Sequence, residues 1–210
     1  MTEKVKLADL ETYVYIDVSN IRSACLKTLD LMIDFAKLLE YFRQKYPNLK
    51  DVRYYEGIAK GDVKKQRMFD FLRQKGYVIC PLERKSYNSS EIEKCEVKCP
   101  KCKHKWAAEF TRTHRAMKSN VDVYLATELL TVAHQASWPT HIILVSCDGD
   151  YAEMISNALR NENVSISVLA TPSVRDFRKN TLSTRLKTLR GKISNYYLTD
   201  IRDIQDVIKR

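Results

Sequence analysis

The chain has 210 residues, 44% hydrophobic and 30% charged, the balance of an ordinary globular protein with a substantial core. Its 36 basic and 26 acidic residues give a net charge of +10, which favours a polyanionic partner. No run approaches the roughly 18 apolar residues of a membrane span, and the five glycines, at 57, 61, 76, 149 and 191, are too scattered for a GxGxxG turn, a P-loop or a GxSxG elbow.

The first element is the apolar run Tyr13-Val14-Tyr15-Ile16, ended by Asp17. Four apolar residues without alternation read as a strand buried on both faces. A helix is expected from Asp30 as N-cap, with Leu31, Phe35, Leu38 and Phe42 on one face. Val52–Gly57 reads as a second strand. Asp62 can cap a second helix that buries Phe69 and Leu72 and stops at Gly76. Tyr77–Cys80 is a third strand, closed by Pro81. Residues 84–116 break the pattern: they are polar and rich in Cys and Lys, and read as an inserted hairpin because a structureless loop of that length does not suit a compact domain. Alternation then resumes with a helix over 120–135, a strand over 141–146, a helix over 149–160 and a strand over 164–170. A basic stretch follows in which Leu182, Leu186 and Leu189 share a helical face, and Tyr196–Leu198 reads as a last short strand. Alternating helices and buried strands predict one α/β domain, a parallel sheet flanked by helices, spanning 1–210 and carrying the hairpin.

In such sheets ligands bind beyond the carboxyl ends of the strands. Asp17 ends the first strand, and Asp148 and Asp150 follow the run Ile142–Ser146 in the string SCDGD. These acids therefore point at one crevice. Clustered carboxylates repel one another unless a cation neutralises them, and hard oxygen ligands suit Mg²⁺ or Mn²⁺. Asn20 is neutral and suits orienting a water or a metal-bound acid. Asp is also a common N-cap and Asp-Gly a common turn, so each acid has a purely structural alternative. His134 and His141, at the ends of a helix and a strand, read as surface or cap residues.

Three strings, YVYIDVSNI, KSNVDVYLATELL and ILVSCDGDYAEMI, resemble the signature segments of the NYN domain, a PIN-like nuclease superfamily related to the LabA-like proteins. The match runs over roughly residues 12–200, in the family's order. It departs at Val18, where the family commonly has Gly, and at Glu128, where it often has a further Asp. The resemblance implies a PIN-like three-layer fold and a Mg²⁺- or Mn²⁺-dependent ribonuclease. Asp17, Asp122, Asp148 and Asp150 would be its metal-site acids, with Asn20 beside them. Asp122 owes its place to the resemblance; on position alone it is an acid in the first turn of a helix, where the macrodipole favours it. The alternative is a non-catalytic RNA-binding or regulatory module on the same fold. A haloacid-dehalogenase-type phosphatase would need DxDx[TS], which Asp17-Val18-Ser19 lacks.

RNA is the expected partner, with no membrane and no nucleotide cofactor, and a homo-oligomer is left open. Residues 173–192 hold seven cations, including Arg175, Arg178, Lys179 and Arg185, against Asp176 alone, and Lys118 lies four residues ahead of Asp122. These are the candidate phosphate contacts. The hairpin adds Lys94, Lys98, Lys101, Lys103 and Lys105. It also contains Cys95-x3-Cys99-Pro-x-Cys102-x-His104-x-Trp106, whose second half resembles one knuckle of a zinc ribbon with Lys103 in place of the usual Gly. Cys95, Cys99, Cys102 and His104 are a candidate Zn²⁺ set, with His114 as the alternative fourth ligand; free thiols on a degenerate hairpin are the rival. A cytoplasmic, reducing location is expected, which disfavours disulfides.

Overall fold

A computed structural model describes residues 9–172 and 181–210, without the side chains of Ser89 and residues 114–117. Six strands, β1 (Glu11–Asp17), β2 (Leu49–Ile58), β3 (Val78–Glu83), β6 (Thr140–Val145), β7 (Val164–Ala170) and β8 (Tyr196–Asp200), form one sheet in the order β3-β2-β1-β6-β7-β8. Every pairing in it is parallel. Helices α1 (Val18–Leu29), α2 (Phe35–Lys45), α3 (Val63–Lys75), α4 (Val121–Gln135), α5 (Tyr151–Ala158), α6 (Thr184–Leu189) and α7 (Gln205–Ile208) flank it. All six residues of β6 are buried, and its apolar run Ile142–Val145 suits a strand covered on both faces. Among the described residues no helix is long and apolar enough to cross a membrane.

The strand order reverses between β1 and β6, so a crevice opens at their carboxyl ends, where adjacent connections leave in opposite directions. Asp17 closes β1 at that point. The segment Ser146–Asp150 leaves β6 beside it.

Four local expectations are corrected. A helix, α1, starts directly after Asp17. Its low-propensity residues Val18, Ser19, Asn20 and Ser23 hide a buried stripe of Val18, Ile21, Ala24 and Cys25. Asp30 is the left-handed C-cap of α1 (φ 51°), not the N-cap of the next helix. That helix, α2, is capped by Asp34, whose carboxylate accepts from the amides of Ala36 and Lys37. Pro81 lies inside β3 rather than after it, which is tolerated because β3 is an edge strand and needs no donor on its open side. His141 is a buried sheet residue, not a surface one: its Nε2 lies 2.8 Å from Ser167 Oγ. Burial and nearby Lys45 lower its pKa to about 4, so the ring is neutral at physiological pH. The helix α3 keeps its expected ends, Asp62 accepting from Lys65 N and Gly76 at φ 107°.

Between β3 and α4 the chain runs out and back as β4 (Lys85–Lys98) and β5 (Lys105–Lys118), an antiparallel ribbon that among the described residues pairs with no other strand. Lys94–Glu109, Lys105–Glu96 and Arg112–Glu93 bridge its two strands. The expected cationic surface is therefore partly neutralised along the ribbon.

Candidate active site

Asp17 is only 7% exposed, although it sits at a strand end. It does two jobs locally. Its Oδ1 accepts from Asn20 N at 3.2 Å, capping α1, and its Oδ2 accepts from the Tyr151 hydroxyl at 3.1 Å. Burial raises its pKa to about 6; the Asn20 amide and the Tyr151 hydroxyl pull it down, and Asp148 and Asp122 push it back up. Tyr151 itself is held well above the ordinary phenol range by burial and by Asp17, so it remains a donor.

The turn after β6 is built by backbone donors. Asp148 N donates to Ser146 Oγ at 3.1 Å, and Asp150 N donates to Asp148 Oδ1 at 3.0 Å. Asp150 occupies the N-cap position of α5 without a side-chain cap bond, and its Oδ1 is 3.5 Å from Arg185 Nη1. Gly149 lets this turn approach α6: a Cβ there would stand 2.0 Å from Ser183 Oγ and 2.9 Å from Ser183 Cβ. Asn20 ties the two strand ends together by accepting from Cys147 N at 2.8 Å through its Oδ1. Its amide nitrogen remains available as a donor. Cys147 is buried, and burial raises its pKa, so it is a neutral thiol against Thr171 rather than a nucleophile.

Asp17, Asn20, Asp122, Asp148 and Asp150 line one open cleft of about 660 Å³, together with Lys27 and Lys118. A continuation past Asp150 reaches Arg185. Among the described residues no three His, Cys, Asp or Glu side chains are already close enough to enclose an ion by themselves. The acids line a cleft rather than a closed cage. Such an arrangement fits Mg²⁺, which keeps several waters and takes one or two carboxylates plus substrate phosphate. It also fits the buried Asp17 carboxylate, whose donors, the Asn20 amide and the Tyr151 hydroxyl, are neutral.

Arg175, Arg178 and Lys179 lie outside the described residues. Glu128 faces away, accepting from Arg53 and the Tyr55 hydroxyl. Sequence reasoning missed Tyr151, whose partner Asp17 lies 134 residues away along the chain, and Lys27. Lys27 is seven residues past Asn20 on one face of α1, a spacing with meaning only once α1 is known. A larger groove of about 820 Å³ lies elsewhere, lined by Leu26, Met32 and Phe71 among others; its acids Asp34 and Asp62 are helix caps.

The proposed zinc ligands do not converge. Cys99 and Cys102 share the turn between β4 and β5. Cys95 pairs opposite Ala108, four residues back along the strand, or roughly 13 Å from Cys99. His114 pairs opposite Ser89, nine residues past Lys105 and thus roughly 30 Å from the tip. His104 stacks on Trp106 with 6.4 Å between centroids.

The NYN domain family model matches residues 11–187. A crystal structure of a protein of unknown function from Vibrio parahaemolyticus superposes with a TM-score of 0.59 at 18% identity, covering 99% of this chain and 100% of that one. At that identity it shows a shared fold alone. No curated protein matches the chain in sequence.

Proposed function

The chain belongs to the NYN domain family of PIN-like nucleases, and from that premise we propose that it is a Mg²⁺- or Mn²⁺-dependent ribonuclease whose reaction takes place in the cleft at the ends of β1 and β6. The observation that carries this reading is the buried Asp17 carboxylate, which lines one cleft with Asp122 and Asp148 at the reversal point of a parallel sheet. Asp17, Asp122 and Asp148 would hold the ion, with Asp150 at the rim. A divalent ion bound there supplies charge neutralisation for the phosphoryl oxygens and makes a nearby water more acidic.

The rest is the work of side chains. Tyr151 and the Asn20 amide fix the Asp17 carboxylate in one orientation. Asn20 locks the β6 turn to α1, which keeps Asp148 at a constant distance from Asp17, and its free amide nitrogen can donate to a water or a phosphate oxygen. Lys27 and Lys118 at the cleft, and Arg185 beside Asp150, are placed to meet the RNA backbone as positive charges. Arg175, Arg178 and Lys179 are proposed as further phosphate contacts. We read residues 1–210 as one domain, with 84–116 as its inserted hairpin.

One observation favours the non-catalytic alternative. Both oxygens of Asp17 and one of Asp148 are already engaged in caps and turns, as purely structural acids would be. Labelled RNA and DNA incubated with Mn²⁺ or Mg²⁺, beside an EDTA control and Asp148→Asn, separate the two. The ribonuclease reading expects RNA cleavage that EDTA abolishes and that Asp148→Asn lowers by more than about a hundredfold with RNA binding retained, since removing a ligand should cost more than disturbing a neighbour of one. RNA binding without cleavage under any metal would leave the binding module.

A further inference from the structure

The ribbon tip has the architecture of half a zinc site. Cys99 and Cys102 stand three residues apart in the tight turn that joins β4 to β5. The turn is closed by Lys103 N donating to Cys99 O at 3.0 Å and Cys99 N donating to His104 O at 2.8 Å. Lys103 adopts φ 62°, a left-handed conformation that an L residue enters only when the surrounding turn enforces it. A turn closed by two backbone bonds, with a left-handed residue just after the second of two cysteines at C-x-x-C spacing, forms a knuckle that suits a soft cation.

A tetrahedral zinc site needs four ligands, and a single knuckle provides two. Among the described residues no third Cys, His, Asp or Glu joins them in a group that could hold an ion: Cys95 and His114 are displaced along the ribbon, and His104 is stacked on Trp106. We propose that Cys99 and Cys102 form one half of a four-thiolate Zn²⁺ site completed by the same two cysteines of a second copy of the chain. This inference stands apart from the acid cleft and from the ribonuclease reading.

Two further features select a second copy as the source of the missing ligands. Among the described residues both edges of the ribbon are unpaired, and it exposes Ile92 (66%), Trp106 (46%) and Phe110 (46%). An isolated two-stranded ribbon is marginally stable in water, and its edges invite pairing with an identical one. Charge agrees as well. Zinc with four thiolates carries a net charge of −2, and Lys98, Lys101 and Lys103, which have no ion-pair partner among the described residues, surround each tip. Two like-charged tips would repel one another when empty, and the anionic zinc–thiolate centre relieves that repulsion. A two-fold axis through the metal makes the contact self-limiting.

Titrating the reduced, metal-free full chain with Zn²⁺, and in parallel with Co²⁺, while measuring mass by light scattering tests the proposal. The mass should double, with an endpoint at one ion per two chains, and the thiolate-to-cobalt charge-transfer absorption should saturate at the same ratio. Cobalt held by carboxylates gives no such band, so ions in the acid cleft do not confuse the reading. The Cys99→Ser, Cys102→Ser variant should stay monomeric without the band, whereas Cys95→Ser should behave like the parent. An endpoint of one ion per chain on a monomer, loss of the band in Cys95→Ser, or a mass that does not respond to zinc would overturn the proposal.

Discussion

Asp17→Asn is expected to stabilise the metal-free protein and silence it in one step. Burial raises the Asp17 pKa from the ordinary 3.8 to about 6, so the folded chain holds this proton more tightly than the unfolded chain does. The stability that follows is fully present below about pH 4 and is lost as the pH climbs through about 6. At pH 7.5 the ionised group therefore costs the fold on the order of 2–3 kcal/mol, at about 1.4 kcal/mol per pKa unit. Asn keeps the size, can accept from the Asn20 amide and carries no charge. In EDTA at pH 7.5 the melting temperature of the variant should exceed that of the parent by roughly 4–10 °C, and the gap should close near pH 4. Cleavage should fall by more than about a hundredfold. A variant less stable than the parent at both pH values would mean that Asp17 is a cap whose charge is already compensated.

Glu56→Ala is expected to be the most damaging single change to stability outside the apolar core. Glu56 is 1% exposed at the cleft end of β2 and accepts from Arg22 Nη1 at 2.8 Å, from the Tyr54 hydroxyl at 2.9 Å and from Lys65 Nζ at 2.8 Å. Burial works to raise its pKa, but Lys65 and Arg22 outweigh it and hold the carboxyl below its ordinary value. Its contribution is thus present above about pH 4.5 and lost on acidification below that. Removing one partner of a buried pair costs about 3–5 kcal/mol. Arg22 is 43% exposed and Lys65 also donates to Gly57 O, so roughly 2–3 kcal/mol is expected here. Because Arg22 belongs to α1 and Lys65 to α3, the loss should also loosen the helix that carries Asn20 and Lys27. Urea denaturation checks it; a midpoint within error of the parent would mean that the helices are held by apolar packing alone.

The strands were legible because burial on both faces writes itself as runs such as Tyr13–Ile16 and Ile142–Val145, and two of those runs end in the acids of the cleft. Position along the chain thus predicted position in space. The helix α1 was not legible, since its buried stripe is short and its first turn is built from Val, Ser and Asn; its cap, Asp17, is the residue that the chemistry also claims. That overlap is physical. A carboxylate that caps a helix and one that binds a cation need the same placement at a strand end. The cysteines misled for a related reason: spacing along the chain put Cys95 with Cys99 and Cys102, but an extended strand carries it roughly 13 Å away. The six-stranded order and the Asn20 link between β1 and β6 depend on contacts between segments more than a hundred residues apart, which no local pattern encodes.

The acids at the ends of β1 and β6 are proposed to share a divalent ion. Crystals soaked in Mn²⁺ decide this, because manganese is located by its own anomalous scattering. A peak within roughly 2.3 Å of carboxylate oxygens of Asp17 and Asp148, with waters completing its shell, is the predicted result. A protein that cleaves RNA while its manganese sits elsewhere, or that leaves this cleft without a peak at saturating Mn²⁺, would contradict it.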